Sequence, residues 1–221
     1  MNKKEVVTKT IHFVKKQLDS AEGGHDWFHI ERVWKNAKLI AKNENANNFV
    51  VELGALLHDI ADAKFYEGDE TIGPKKAREF LEGIGLDEEN IQHVENIIKH
   101  ISYKNSLTDN GLFQKFSSKE LNIVQDADRL DAIGAIGIAR AFNYGGFKNR
   151  VLFNPNIKPD LKLNKETYKK STAPTINHFY EKLLLLKDQM NTETGRQIAQ
   201  ERHEFMKQYL KQFYREWDGK S

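Results

Sequence analysis

The chain has 221 residues, with 34 Lys+Arg against 32 Asp+Glu, no Cys and a formal net charge of +2. That length fits one large domain, and 39% apolar residues are enough for one core. Zero Cys excludes disulfides, thiolate nucleophiles and Cys-based zinc sites. No apolar run approaches the roughly 18 residues of a membrane span, and a near-neutral charge argues against a nucleic-acid-coating protein. Met1 to Glu5 is polar and lacks the apolar stretch of a signal peptide, which is compatible with a cytoplasmic location.

Helical periodicity runs along most of the chain. Val6, Ile11, Val14 and Leu18 predict a first helix, ended by Gly23-Gly24. Ile30, Val33, Ala37 and Ile40 predict a second, with Asp26 as its cap. A third is expected over Phe49 to Ala61, and a fourth over Lys75 to Gly83 with Pro74 in its first turn. A fifth covers Asn90 to His100. Ser117 or Ser118 caps a sixth running towards Leu130, and a seventh passes through Ile133 to Phe142. Residues 143–171, with Gly145-Gly146, Pro155 and Pro159, read as a long irregular loop of the kind that is usually functional or disordered. Two amphipathic helices follow, Ile176 to Met190 and Thr194 to Trp217. Strand-like alternation is nearly absent. The fold class is therefore all-α: a single-domain helical bundle over 1–221, with a motif core at about 25–142 and C-terminal helices at about 172–217.

His and Asp gather in four segments: Gly24 to Val33, Ala55 to Asp62, His93 to Lys104, and Gln125 to Asp131. His58 and Asp59 follow the apolar run Val50 to Leu57, where polar groups cost free energy unless they are paired or bound. On a continuing helix Asp62 shares their face, and Asp128 shares a face with Asp131. Asp126 and Asp128 point in nearly opposite directions, so one of them faces the core. Imidazole and carboxylate donors together suit Mn²⁺, Fe²⁺, Co²⁺, Ni²⁺ or Mg²⁺, with Zn²⁺ also admissible. Such an ion activates water for attack on phosphorus and offsets phosphoryl charge. Lys64, Lys104, Arg129 and Arg140 would add positive charge for a phosphate.

The order His29, His58-Asp59, Asp128 on a helical chain resembles the HD-domain metal-dependent phosphohydrolases. The strings GHDWFHIERVWKNA, LLHDIADAKF, ISYK, VQDADRLDAIGAIGIARAF and INHFYEKLLLLKDQMNTETGRQIA are similar to a small bacterial subgroup of stand-alone HD proteins. The likeness covers about His25 to Trp217. It implies a helical bundle holding one divalent ion on His29, His58, Asp59 and Asp128. It also implies that Asp62 orients or deprotonates the attacking water, with Glu67 or Asp69 assisting, and that Arg129 meets phosphate. Characterised members of the subgroup are nucleotide pyrophosphohydrolases. The implied activity is hydrolysis of a (deoxy)nucleoside triphosphate to a monophosphate and pyrophosphate. The doubled His pattern of two-metal HD phosphodiesterases is missing around His93 and His100, which favours one metal.

Other readings stay open at this point. The same chemistry serves a phosphodiesterase or phosphomonoesterase acting on another nucleotide, and the same residues serve a non-catalytic nucleotide- or metal-binding module. A helical interaction protein is disfavoured by the His/Asp density. His100 is expected to line the pocket, as is His93, while His178 is expected in the core and His12 and His203 in structural or surface positions. His25 is equally a hydrogen-bonding neighbour of the ligands or an exposed turn residue. Asp126 is expected at the helix surface or in a hydrogen bond, Asp131 in an intrahelical salt bridge, Gly134 and Gly137 in close helix packing. The aromatic stripe Phe205, Tyr209, Phe213 and Trp217 is expected to pack in the core. Base rates leave a homodimer open.

Overall fold

The computed structural model describes residues 2–19, 26–61, 69, 71–101, 116–161 and 172–220. Among these residues the chain is all-helical, with no strand. No described helix is long and apolar enough to cross a membrane. The chain divides into two compact units, Met1–Asp128 and Arg129–Ser221.

The first unit is built around α3 (Asn48–Leu57). Phe49, Val50, Val51 and Leu53 to Leu57 are all buried, as expected of a helix that is apolar all round. Around it pack α1 (Lys3–Gln17), α2 (Trp27–Ala41) and α5 (Glu88–His100), and α4 (Ile72–Gly83) packs on α5. The sixth helix, α6 (Lys119–Asp131), carries its final residues into the second unit. Gly54 lets helices approach α3 closely: a Cβ there would stand 3.2 Å from Ile97 and 3.4 Å from Val124.

Caps set most helix starts. The Asp26 carboxylate accepts from the His29 amide at 2.9 Å, as the sequence predicts. Between the two candidate serines, Ser118 caps α6, accepting from the Leu121 amide at 3.0 Å. Glu120, buried, ties three helices together. It accepts from the Asn47 amide at 2.7 Å and faces His93 Nε2 at 3.4 Å. His93 Nε2 also lies 3.1 Å from Ser118 Oγ, so the ring joins α5 to the start of α6.

The second unit holds α7 (Gly134–Phe147), α8 (Thr175–Glu181), a 3₁₀ segment (Leu183–Gln189) and α9 (Glu193–Trp217). Several boundaries differ from the sequence expectation. Helix α3 stops at Leu57 instead of reaching Ala61. Helix α7 runs through Gly145-Gly146, so the first residues of the expected 143–171 loop are helical. A Cβ on Gly145 would overlap Thr175, so the glycine is a contact point with α8 and not a loop turn. Gly137 packs against the carbonyl of Ala132 in the preceding turn, not against another helix. The expected Ile176–Met190 helix breaks at Lys182 (φ −144°, ψ −57°) into α8 and the 3₁₀ segment.

Residues 148–161 are irregular but tied down. The amides of Thr175 and Ile176 donate to the carbonyls of Val151 and Leu152, both at 3.0 Å, and Asn177 Nδ2 donates to Ile157 O at 3.0 Å. Phe153 stands edge-on to Phe213, Tyr214 and Trp217. The aromatic stripe of α9 is not the buried seam. Gly195, Ala199, His203, Met206 and Leu210 form that seam, while Phe205 and Trp217 are each 49% exposed. Tyr209 and Phe213 lie between, with Tyr209 against Phe142 and Phe179. His203 is buried, so it takes the structural and not the surface option.

His178 is half-buried on α8. Burial, then the charges of Lys182 and Arg150, push its pKa down to about 4. The folded state therefore keeps the ring neutral while the unfolded chain protonates it below pH 6.5. Its contribution is intact above that pH and is lost as pH falls towards 4, by up to about 3 kcal/mol. His178→Gln should flatten the fall of Tm between pH 6.5 and 4; parallel melting curves for the two proteins would refute this account.

Candidate metal centre

His29 lies in the first turn of α2, one turn beyond the Asp26 cap, and is only 3% exposed. The cap holds that turn in register, while Ile30, Val33, Ala37 and Ile40 bury the helix behind it. His58 follows the last residue of α3 and is 8% exposed. The apolar helix ends here, and His58 and Asp59 form the turn that follows it. That ending removes the helical basis for placing Asp62 on their face, and Asp62 lies outside the described residues.

The two rings meet edge-on, with centroids 5.4 Å apart and planes at 65°. His58 Nδ1 lies 2.8 Å from the Ala55 carbonyl. A carbonyl only accepts, so Nδ1 carries the hydrogen and Nε2 keeps its lone pair. Asp128 Oδ1, on α6, stands 3.6 Å from His29 Nε2 and 3.9 Å from His58 Nε2. Helix α6 is joined to α2 next to this point, where Asn36 Nδ2 donates to Ala127 O at 3.4 Å.

One donor atom from each of His29, His58 and Asp59 can be chosen so that all lie within 4.8 Å of one another. Donors bound at about 2.1 Å around one ion stand roughly 3 to 4 Å apart. Two imidazole nitrogens and two carboxylates at these separations fit a borderline divalent cation. The fixed His58 tautomer is the arrangement that metal-binding imidazoles use, with the far nitrogen donating to an acceptor.

Asp126, two residues before Asp128, is fully buried and not at the surface. Asp128 is 43% exposed in its side chain, so this pair does divide between core and outside as its spacing predicts. His93 belongs to the Glu120 and Ser118 network described above. His100 Nδ1 lies 2.8 Å from Asn96 O, and its ring tilts on Phe116. Gln125 pins the same helix end, donating to His100 O at 2.9 Å.

Two of the cations expected at phosphate have protein partners in this structure. Arg129 Nη1 donates to Gln189 O at 2.8 Å. The Arg140 guanidinium sits on the Asp131 carboxylate, which bridges Asp131 to the next helix. His25, Lys64, Glu67 and Lys104 lie outside the described residues. Two participants gave no signal in the sequence. Ala55 acts through its backbone carbonyl, and Arg202 donates to Leu130 O from a position 72 residues away.

The HD domain family matches residues 27–133, a stretch that includes all four clustered donors. A Bacillus thuringiensis HD-superfamily hydrolase of known structure is 43% identical, covering 98% of this chain and 99% of its own, with a TM-score of 0.79. Bacillus subtilis YpgQ is 38% identical over 94% of this chain and 91% of its own length. The crystal structure of YpgQ in complex with ADP superposes with a TM-score of 0.76, covering 98% of this chain and 97% of that one. Two buried imidazoles beside two carboxylates, on a helical scaffold shared along nearly the whole length of these relatives, place the chain in the HD superfamily of metal-dependent phosphohydrolases.

Proposed function

We propose that the protein hydrolyses nucleoside triphosphates to monophosphates and pyrophosphate, using one divalent ion held by His29, His58, Asp59 and Asp128. The observation that carries this reading is the convergence of His29 Nε2, at 3.6 Å, and His58 Nε2, at 3.9 Å, on Asp128 Oδ1, with a donor atom of Asp59 within 4.8 Å of the two imidazoles. A nucleotide as substrate is supported by the ADP complex of YpgQ, 36% identical in that structure, and by the similarity to nucleotide pyrophosphohydrolases. When bound, the ion would supply Lewis-acid activation of water and neutralisation of phosphoryl charge.

The residues of the chain do the rest. Water adds to the α-phosphorus, the bond from that phosphorus to the bridging oxygen breaks, and pyrophosphate leaves. Asp62 takes the water's proton, with Glu67 as a second acceptor further along. Lys64 and Lys104 hold phosphoryl oxygens, joined by His100 as an imidazolium, because its Nδ1 already donates to Asn96 O and only the charged ring has a hydrogen left on Nε2. Arg129 joins them by leaving the Gln189 carbonyl, a neutral acceptor that an anionic oxygen outcompetes. Arg140 is paired with the Asp131 carboxylate.

Metal-stripped protein reloaded with Mn²⁺, Mg²⁺, Co²⁺, Ni²⁺ or Zn²⁺ should be tested on a nucleotide panel with products identified by mass. Monophosphate and pyrophosphate are expected from the metal-loaded protein alone. Orthophosphate, or turnover surviving in chelator, would refute the reaction proposed. His58→Ala should lose metal binding and lower kcat/KM by on the order of a hundredfold or more. Asp62→Asn should keep its metal while kcat falls by about 10²–10⁴; an unchanged kcat would remove Asp62 from the mechanism.

A further inference from the structure

Helix α6 ends at Asp131, one turn after Asp128. A helix leaves its last four carbonyls without partners inside the helix, and such ends fray unless something holds them. This end is held by two arginines of the second unit. Arg140, on α7, donates Nη1 to both the carboxylate and, at 3.3 Å, the backbone carbonyl of Asp131. Arg202, on α9, donates Nη1 to the carbonyl of Leu130. Asp131 is 1% exposed, so its charge is buried against these cations.

Two further observations show that the arrangement is built. Gly134 adopts φ +75° directly beneath the Arg202 stem, and a Cβ there would lie 3.0 Å from Arg202 Cγ. Only glycine combines that backbone conformation with that approach at little cost. Arg202 is buried enough for its pKa to fall, with the Asp131 charge working against the fall. The guanidinium is thus taken out of water to meet the α6 terminus, a cost that a solvent-facing arginine would avoid.

We infer that Asp131, Arg140 and Arg202 form a clamp on the end of α6 that positions Asp128 for the metal. The three are positioning residues: none is proposed to touch ion or substrate. The inference rests on the metal-site reading above. It makes α9, the last helix, a determinant of metal affinity although none of the proposed ligands comes from it.

The test is Mn²⁺ affinity, read as free Mn²⁺ by electron paramagnetic resonance at a temperature where circular dichroism shows every variant folded. Asp131→Asn removes the central charge. Arg202→Met keeps the stem over Gly134 and loses the guanidinium. Each should weaken Mn²⁺ binding by about tenfold, the size seen when groups that orient metal ligands are lost, and Arg202→Lys should recover part of it. Phe153→Ala, which strips an aromatic contact from the same unit, controls for lost stability and should bind Mn²⁺ like the wild type. Wild-type affinity in Asp131→Asn and Arg202→Met overturns the clamp, as does equal weakening in Phe153→Ala. Should Asp131→Asn fail to fold, Arg202→Met and Arg140→Lys decide the matter alone. Wild-type affinity in His58→Ala would instead overturn the metal-site reading, a failure separable from the clamp's.

Discussion

The hydrogen bond from His58 Nδ1 to the Ala55 carbonyl is the constraint on which the centre of this protein depends. It spans 2.8 Å inside a buried turn. Without it the ring could present either nitrogen, and half of its tautomers would offer a hydrogen where an acceptor is needed. With it, Nε2 is a fixed lone pair aimed at the same space as His29 Nε2 and Asp128 Oδ1. The bond uses a carbonyl that the end of α3 leaves free for it. The helix terminus and the placement of His58 are therefore one structural event.

Around that event the first unit is arranged to spend apolar burial on polar placement. Helix α3 has eight of its ten residues buried and is followed directly by two polar residues, His58 and Asp59. Burial of eight consecutive-turn residues, at about 25 cal/mol per Å² of apolar surface, outweighs the desolvation of one imidazole. Helix α2 makes the same exchange at its other end. Its apolar face holds it to α3, and its capped first turn carries His29. Glu120 and His93, far from catalysis in their bonding, lock the starts of α3 and α6.

The second unit contributes differently. Its aromatic contacts from Phe142, Phe153, Phe179, Tyr209 and Phe213 are sheltered on one side of α9. Its arginines work as backbone caps: Arg129 on Gln189, Arg196 on Met190 and Asn191, and Arg202 on Leu130. Guanidinium groups suit this use because their planar fork reaches carbonyls while the stem packs on apolar surface.

Much of the local structure was legible in the sequence because its causes are local. Asp26, Ser118 and the apolar spacing of Ile30, Val33, Ala37 and Ile40 act within one turn or one face, and those elements formed as read. The His29, His58-Asp59 and Asp128 order pointed to a metal-dependent hydrolase through the resemblance of its flanking strings to the HD-domain phosphohydrolases, since the bare pattern by itself is weakly specific. What depended on distant partners was not legible. Gly145-Gly146 reads as a turn in any sequence, yet α8 needed the space and the helix ran on. The stripe from Phe205 to Trp217 has the right period for a core, yet the neighbours of α9 cover the adjacent face instead. Arg140 and Arg202 carry no mark that distinguishes a clamp from a ligand. The physical reason is the same in each case: periodicity and capping are written within a few residues, whereas which face is covered, and which charge meets which carbonyl, is decided only when separate helices pack.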